Sequence, residues 1–189
     1  MFECQGIHDR ATMSKTVSIF GTGRAAAVDS AYELAYAIGW GLAKNRITIA
    51  NGGYRGTMLA AAKGAAEAGG EVIGVTCSAF KGRANKYVTR QIVAKTLDER
   101  LDTLIRLGRA YIVLPGGTGT LLELAKVWEL KNKGFPEGEK PIILVGEFWK
   151  PLVEVVASDD ADASQFVKQV GSPVEAMEVI MNIWDVHSR

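Results

Sequence analysis

The chain has 189 residues, 48% of them hydrophobic, which suits one domain with a sizeable core. Its 22 basic and 21 acidic residues leave a net charge of +1, which argues against a nucleic-acid binder driven by bulk charge. No apolar run approaches the roughly 20 residues of a membrane span, so no membrane partner is expected.

Residues 1–15 are polar and mixed, with no apolar core of a secretory signal, and read as a disordered extension before a single domain over 16–189. Met13 is an alternative start. Cys4 and Cys77 are too few for a disulfide framework, which makes a reducing cytoplasm the default, and Cys77 reads as a small hydrophobe ending a buried strand. His8 and His187 both sit in terminal segments. Histidine relays and most zinc sites are thereby excluded, leaving carboxylates, arginine, lysine or tyrosine for any catalysis. Neither a metal nor a cofactor is expected.

A strand over 16–20 closes on Gly21-Thr22-Gly23, and an alanine-rich helix follows over 25–44, led in by Asp29 or the loop before it. A second strand, 47–50, ends at Asn51-Gly52-Gly53; the helix over 57–68 stops at Gly69-Gly70. A third strand, 71–76, leads to a polar loop with Lys81, Arg83 and Lys86, which reads first as solvated surface and alternatively as an attractor of anions. Then come a strand over 91–95, a helix over 98–107 opened by Asp98 and Glu99, and a strand over 110–114. Leu121, Leu124, Ala125 and Trp128 mark the core stripe of the next helix at i, i+3, i+4 and i+7. After a loop at 134–140, strands over 141–145 and 166–170 alternate with helices over 149–157 and 174–186. Alternating strands and helices specify an α/β, Rossmann-like, doubly wound parallel sheet with helices on both faces.

The stretch from Ala110 to Glu123 organises the rest: an apolar strand, a glycine turn, then a helix start. Gly116, Gly117 and Gly119 let a ligand approach the backbone, and Thr118 and Thr120 add hydroxyls where a helix leaves its first amides unpaired. That is an anion site, favoured by the helix dipole. The lysine of a Walker A loop is absent, and Leu122 stands where a dinucleotide fingerprint needs a third glycine. Three strands end in glycine loops, and in a parallel sheet such ends share one edge, so Gly21, Gly23, Gly52 and Gly53 join Gly116–Thr120 as candidate phosphate or nucleotide contacts. The bland alternative is three packing turns.

Glu123 would be repelled by a bound anion unless it had work to do or a cationic partner. Arg100, near the start of the preceding helix, is the candidate partner, able to reach Glu123 or a phosphate in a bidentate way. The stripe leaves Glu123 on another face with Val127 and Leu130, which suggests a homodimer with the site near its seam; scattered surface hydrophobes are the alternative.

Pro115-Gly-Gly-Thr-Gly-Thr-Leu-Leu-Glu123 resembles the PGGxGTxxE signature of the LOG (lonely guy) family. Asn51-Gly-Gly-Tyr-Arg-Gly-Thr-Met58 resembles that family's GGGxxGLM block, and Leu97-Asp-Glu-Arg100 falls where it carries MHERK. The resemblance implies a Rossmann-like homodimer that hydrolyses the N-glycosidic bond of a nucleoside 5′-monophosphate, AMP or an N6-prenylated AMP, to free base and ribose 5-phosphate. It also implies Arg100 and Glu123 as the catalytic pair and Gly116–Thr120 as the phosphate loop. Departures are Leu101 after the arginine, Asp98 for the family's histidine, Arg24 in a first loop without its serine pair, and Asn51 for a glycine. They bear on substrate choice. A related branch carries molybdenum cofactor without catalysis. The family's frequent lysine decarboxylase label requires a Schiff-base lysine, and no lysine here is placed for it by motif.

Overall fold

The computed structural model describes residues 15–186. All of the expected extension except Lys15 therefore lies outside the described residues, as do Cys4, His8, Met13 and His187. Seven strands form one wholly parallel sheet in the order β4-β3-β2-β1-β5-β6-β7. They are β1 (Thr16–Phe20), β2 (Thr48–Asn51), β3 (Val72–Cys77), β4 (Arg90–Ala94), β5 (Ala110–Val113), β6 (Ile142–Val145) and β7 (Val167–Val170). Among the described residues six α-helices accompany them: α1 (Ser30–Lys44), α2 (Thr57–Glu67), α3 (Leu97–Leu107), α4 (Thr118–Asn132), α5 (Lys150–Asp159) and α6 (Pro173–Val186). Two 3-10 turns, Pro136–Glu139 and Ala163–Phe166, complete the order. No described helix is long and apolar enough to cross a membrane.

The expected α/β class holds for a physical reason visible strand by strand. Every residue of β1, β5 and β6 is buried, as continuous apolar runs require when helices cover both faces. On one face Ile38 and Leu42 of α1, Ala61 of α2 and Ile180 of α6 share a core with Val17 and Ile112. On the other, Leu104 of α3, with Leu124 and Trp128 of α4, packs on Phe20 and Tyr111, whose rings stack 5.7 Å apart.

Three expectations need correction. α1 starts at Ser30, not at residue 25, because the Asp29 carboxylate accepts the Ala26 amide at 2.7 Å and holds the preceding segment in a turn. The core stripe of α4 is Thr120, Glu123, Leu124, Val127 and Trp128, while Leu121, Leu122 and Ala125 are exposed. Val127 therefore lies in this chain's own core, and the outward apolar face proposed for it and Leu130 does not exist in that form. The stripe was displaced because the inner face of α4 carries a threonine and a glutamate at its first turns, where a hydrophobic pattern alone selects leucine.

The connection from β1 runs to β2 on one side, and β5 is entered from α3 on the other, so the loops after β1 and β5 diverge and open a crevice at the carboxyl edge. α1 and α2 cross in very close contact: a Cβ on Gly39 would collide with the backbone of Ala61, and one on Gly64 with the carbonyl of Tyr36. Gly39→Ala must push these backbones apart, and we expect a loss of about 1–3 kcal/mol of stability in urea unfolding. An unchanged unfolding midpoint would contradict this packing.

Candidate functional site

The crevice holds a cleft of about 650 Å³. Its floor and walls come from four loops and three helix starts: Gly21 to Arg24 after β1, Tyr54 after β2, Phe80 after β3 and Gly117 after β5, with Met58 on α2, Arg100 on α3, and Thr118 to Thr120 and Glu123 on α4. Arg100 and Glu123 are both nearly buried. Their side chains meet with Nη1 3.5 Å from Oε1, a single contact and not a bidentate fork.

Arg100 is placed by everything around it. Thr96 caps α3 by accepting the Glu99 amide at 3.1 Å, and the Glu99 carboxylate accepts the Lys95 amide at 2.8 Å, so the acidic residues serve the helix start as expected. One turn on, Arg100 donates from Nε to the Val75 carbonyl at 2.8 Å. Its guanidinium carbon also lies 5.9 Å from the ring centres of both Tyr54 and Phe80. Gly52 makes this possible, because any Cβ there would occupy the guanidinium's position.

The loops are bound to one another. The Thr57 amide and hydroxyl donate to the Thr22 carbonyl at 2.9 and 3.0 Å, and Gly56, with φ +64°, packs so tightly on Thr22 and Gly23 that a side chain would collide. Asn51, where the resembling motif has glycine, is fully buried; its Oδ1 accepts the Gly53 amide at 2.8 Å and its Nδ2 donates to the Met58 carbonyl at 3.0 Å. Tyr54 accepts the Cys77 amide on its hydroxyl at 2.8 Å. Asn85 donates from Nδ2 to the carbonyls of Gly53 and Tyr54 at 3.1 and 3.0 Å. Trp149 donates from Nε1 to the Leu114 carbonyl at 2.9 Å, fixing the chain just before the glycine turn.

Of the candidate phosphate contacts, Gly21, Gly23, Gly117, Thr118, Gly119 and Thr120 line the cleft. Gly52, Gly53 and Gly116 stand behind its surface: Gly53 packs on Gly74, and a Cβ on Gly116 would meet the Thr120 side chain. Open space lies above Gly117 and Gly119, and α4 has no side-chain cap, which leaves its first-turn amides available to an anion. Tyr54, Met58, Phe80, Asn85 and Trp149 were not singled out from sequence. Only the positions of Tyr54 and Met58 inside the second glycine block offered a signal for any of them.

The electrostatics are uneven. Burial pushes the Glu123 carboxyl up to about 7, with the charge of Arg100 pulling it part of the way back. Arg100 is anchored on several sides, whereas Arg100 supplies the one protein contact to the Glu123 carboxylate among the described residues. No group of three or more potential metal ligands occurs among the described residues.

The family model described as possible lysine decarboxylase matches residues 58–182. A cytokinin riboside 5′-monophosphate phosphoribohydrolase from Rhodococcoides fascians is 31% identical over 130 residues, covering 66% of this chain and 65% of that protein. Its counterpart from Mycobacterium tuberculosis is 34% identical over 116 residues, covering 60% of this chain and 61% of that protein. The match thus spans less than two thirds of the length of these curated relatives. Among solved structures, a molybdenum cofactor binding protein from Rippkaea orientalis superposes with a TM-score of 0.76 at 24% identity, covering 90% of this chain and 97% of its own. The molybdenum cofactor carrier protein of Chlamydomonas reinhardtii gives 0.73 at 22%, covering 91% and 99%. At these identities the likeness establishes a shared fold.

The raised Glu123 carboxyl makes stability depend on pH. Between pH 4.5, the ordinary value, and about 7 the unfolded chain gives up this proton while the folded chain keeps it, so its contribution to stability falls as pH rises through that window. Urea unfolding at pH 5 and pH 8 should therefore show Glu123→Gln gaining on the unsubstituted protein at the higher pH. A difference independent of pH would mean that the buried carboxyl is not perturbed.

Proposed function

The chain belongs to the family described as possible lysine decarboxylase, the LOG family, and on that premise we propose that it is a nucleoside 5′-monophosphate phosphoribohydrolase. It would cleave AMP or an N6-substituted AMP to free base and ribose 5-phosphate. One observation carries the reading: a buried carboxyl at Glu123, raised toward neutrality, faces a cleft walled by an uncapped helix start and beside an anchored arginine. The names of the curated relatives support the same reaction class.

In this scheme the 5′-phosphate is held by the amides and hydroxyls of Gly117–Thr120, next to Arg100. The C1′–N bond breaks with its electron pair leaving on the base, which takes up a proton. Water adds its oxygen to C1′ and releases the balancing proton. Ionised Glu123 stabilises the oxocarbenium-like state and orients or deprotonates that water. Arg100 keeps the carboxylate aimed and favours its charged form. Tyr54 and Phe80, 6.2 Å apart, offer aromatic surface to the base.

No lysine lines the cleft, which speaks against decarboxylation through a Schiff base. A second reading, favoured by the cofactor-binding proteins of similar fold, is a carrier that binds a phosphorylated pterin or nucleotide without turnover. The chain is further proposed to act as a cytoplasmic homodimer, now on different residues from those the sequence suggested: Leu121, Leu122 and Ala125 form an exposed apolar strip on α4 beside the site.

Incubation with AMP and prenyl-AMP should release base and ribose 5-phosphate, at a rate that climbs with pH as Glu123 ionises around 7. Glu123→Gln should lower turnover by about 100-fold or more while nucleotide still binds in calorimetry. Arg100→Ala should both slow the reaction by about 100-fold and move its acid limb to higher pH, since the arginine depresses the carboxyl's affinity for its proton. Inertness toward every monophosphate, with molybdopterin bound, would favour the carrier.

Light scattering should give a mass about twice the 20.3 kDa of one chain, and Leu122→Glu should halve it. A monomer at micromolar concentration would remove the dimer.

A further inference from the structure

Beside the main cleft lies a second cavity of about 510 Å³, which shares Gly23 and Tyr54 with it. Its other walls are Arg55, Lys81, Gly82 and Arg83, and no carboxylate lines it. Arg24, from the main cleft, adds a fourth cation. All four cations are exposed, and none has an ion-pair partner among the described residues. In a chain whose charges balance to +1, leaving this many like charges unneutralised around one hollow costs repulsion that an anion would relieve.

The position of this annex says where such an anion belongs on a ligand. Arg55 follows β2, and Lys81 and Arg83 follow β3, whereas the α4 start follows β5. In the sheet β2 and β3 lie on the far side of β1 from β5. A molecule with its phosphate on α4 that crosses Arg100 and Tyr54 therefore reaches the annex with its opposite end. The annex is also a tied structure: Asn85 bonds the loop bearing Lys81 and Arg83 to Gly53 and Tyr54, and Tyr54 is held in turn by Cys77.

We propose that the annex binds a second anionic group, so that the preferred ligand is a nucleotide charged at both ends. One charge is the 5′-phosphate, and the other is a carboxylate or second phosphate on the base side. This rests on the nucleotide reading above for the seat of the 5′-phosphate. Bidentate arginines suit either anion, and a bound group on the annex slows dissociation, unlike mere electrostatic steering, which speeds association.

The test is calorimetry and stopped-flow binding on Glu123→Gln protein, so that turnover does not intervene. The ligands are AMP, N6-(1,2-dicarboxyethyl)-AMP for a base-borne carboxylate, and N6-(2-phosphoethyl)-AMP for a base-borne second phosphate. At least one of the latter two should bind about tenfold or more tighter than AMP, through slower dissociation. The advantage should collapse in the Arg55→Ala/Lys81→Ala/Arg83→Ala variant, whose substitutions are all at exposed positions and whose folding is checked by circular dichroism. Which ligand gains identifies the anion. AMP bound as tightly as both, or an advantage that survives the triple substitution, overturns the annex while the nucleotide reading stands. Binding of the doubly charged ligands, with neither these nor AMP hydrolysed by the unsubstituted protein, keeps the annex and overturns the hydrolase, and binding of none overturns both.

Discussion

The contact between Arg100 and Glu123 is the constraint that the rest of the site is built to satisfy. Burying two charges is costly, and attraction repays the cost only when the remaining donors and acceptors also find partners. Here the repayment is lopsided. Arg100 has the Val75 carbonyl, two aromatic rings and the space provided by Gly52, while Glu123 has one contact of 3.5 Å. A pair serving stability alone would saturate both members. An anchored cation beside an under-satisfied acid leaves the carboxyl near neutrality, as the proposed proton-transfer role of Glu123 would need.

Holding that pair depends on how closely the glycine loops approach one another. Gly21 sits against Thr57, Gly56 against Thr22, and Gly53 against Gly74, so the loops after β1 and β2 brace each other and the second also rests on strand β3. Several of the glycines therefore serve the site at one remove, by letting backbone meet backbone and not by touching ligand. Asn51 belongs to the same system. Its side-chain bonds to Gly53 and Met58 close the loop in the way a short polar side chain allows, so its departure from the family's glycine leaves the backbone of the second block well held.

Much of the fold was legible in the sequence because each buried strand is a short apolar run ended by glycine or a turn, and each helix repeats its own period. Arg100 and Glu123 were legible through motif spacing, and the structure brings them together. What escaped reading was the side of α4 that faces inward. Thr120 and Glu123 are buried because the cleft needs polar atoms there, and Leu121 and Leu122 are pushed outward as a result. Hydrophobic periodicity inverts at such a place, since local pattern and function disagree. Tyr54, Asn85 and Trp149 escaped for another reason: each acts through backbone partners distant in sequence, which no local pattern encodes.

The same geometry separates the parts that would carry the proposed reaction from those that would carry recognition. Parallel neighbours usually need a helical crossover, but β3 joins its parallel partner β4 through the segment 78–89 without one. That segment carries no helix of its own and brings Phe80, Lys81 and Arg83 to the two cavities. Its side chains can therefore change without moving Arg100, held from β3 and α3, or Glu123, held from α4. The acid and its arginine rest on a strand and two helices whose alteration would cost stability, whereas Phe80, Lys81 and Arg83 rest on a connection that carries no helix.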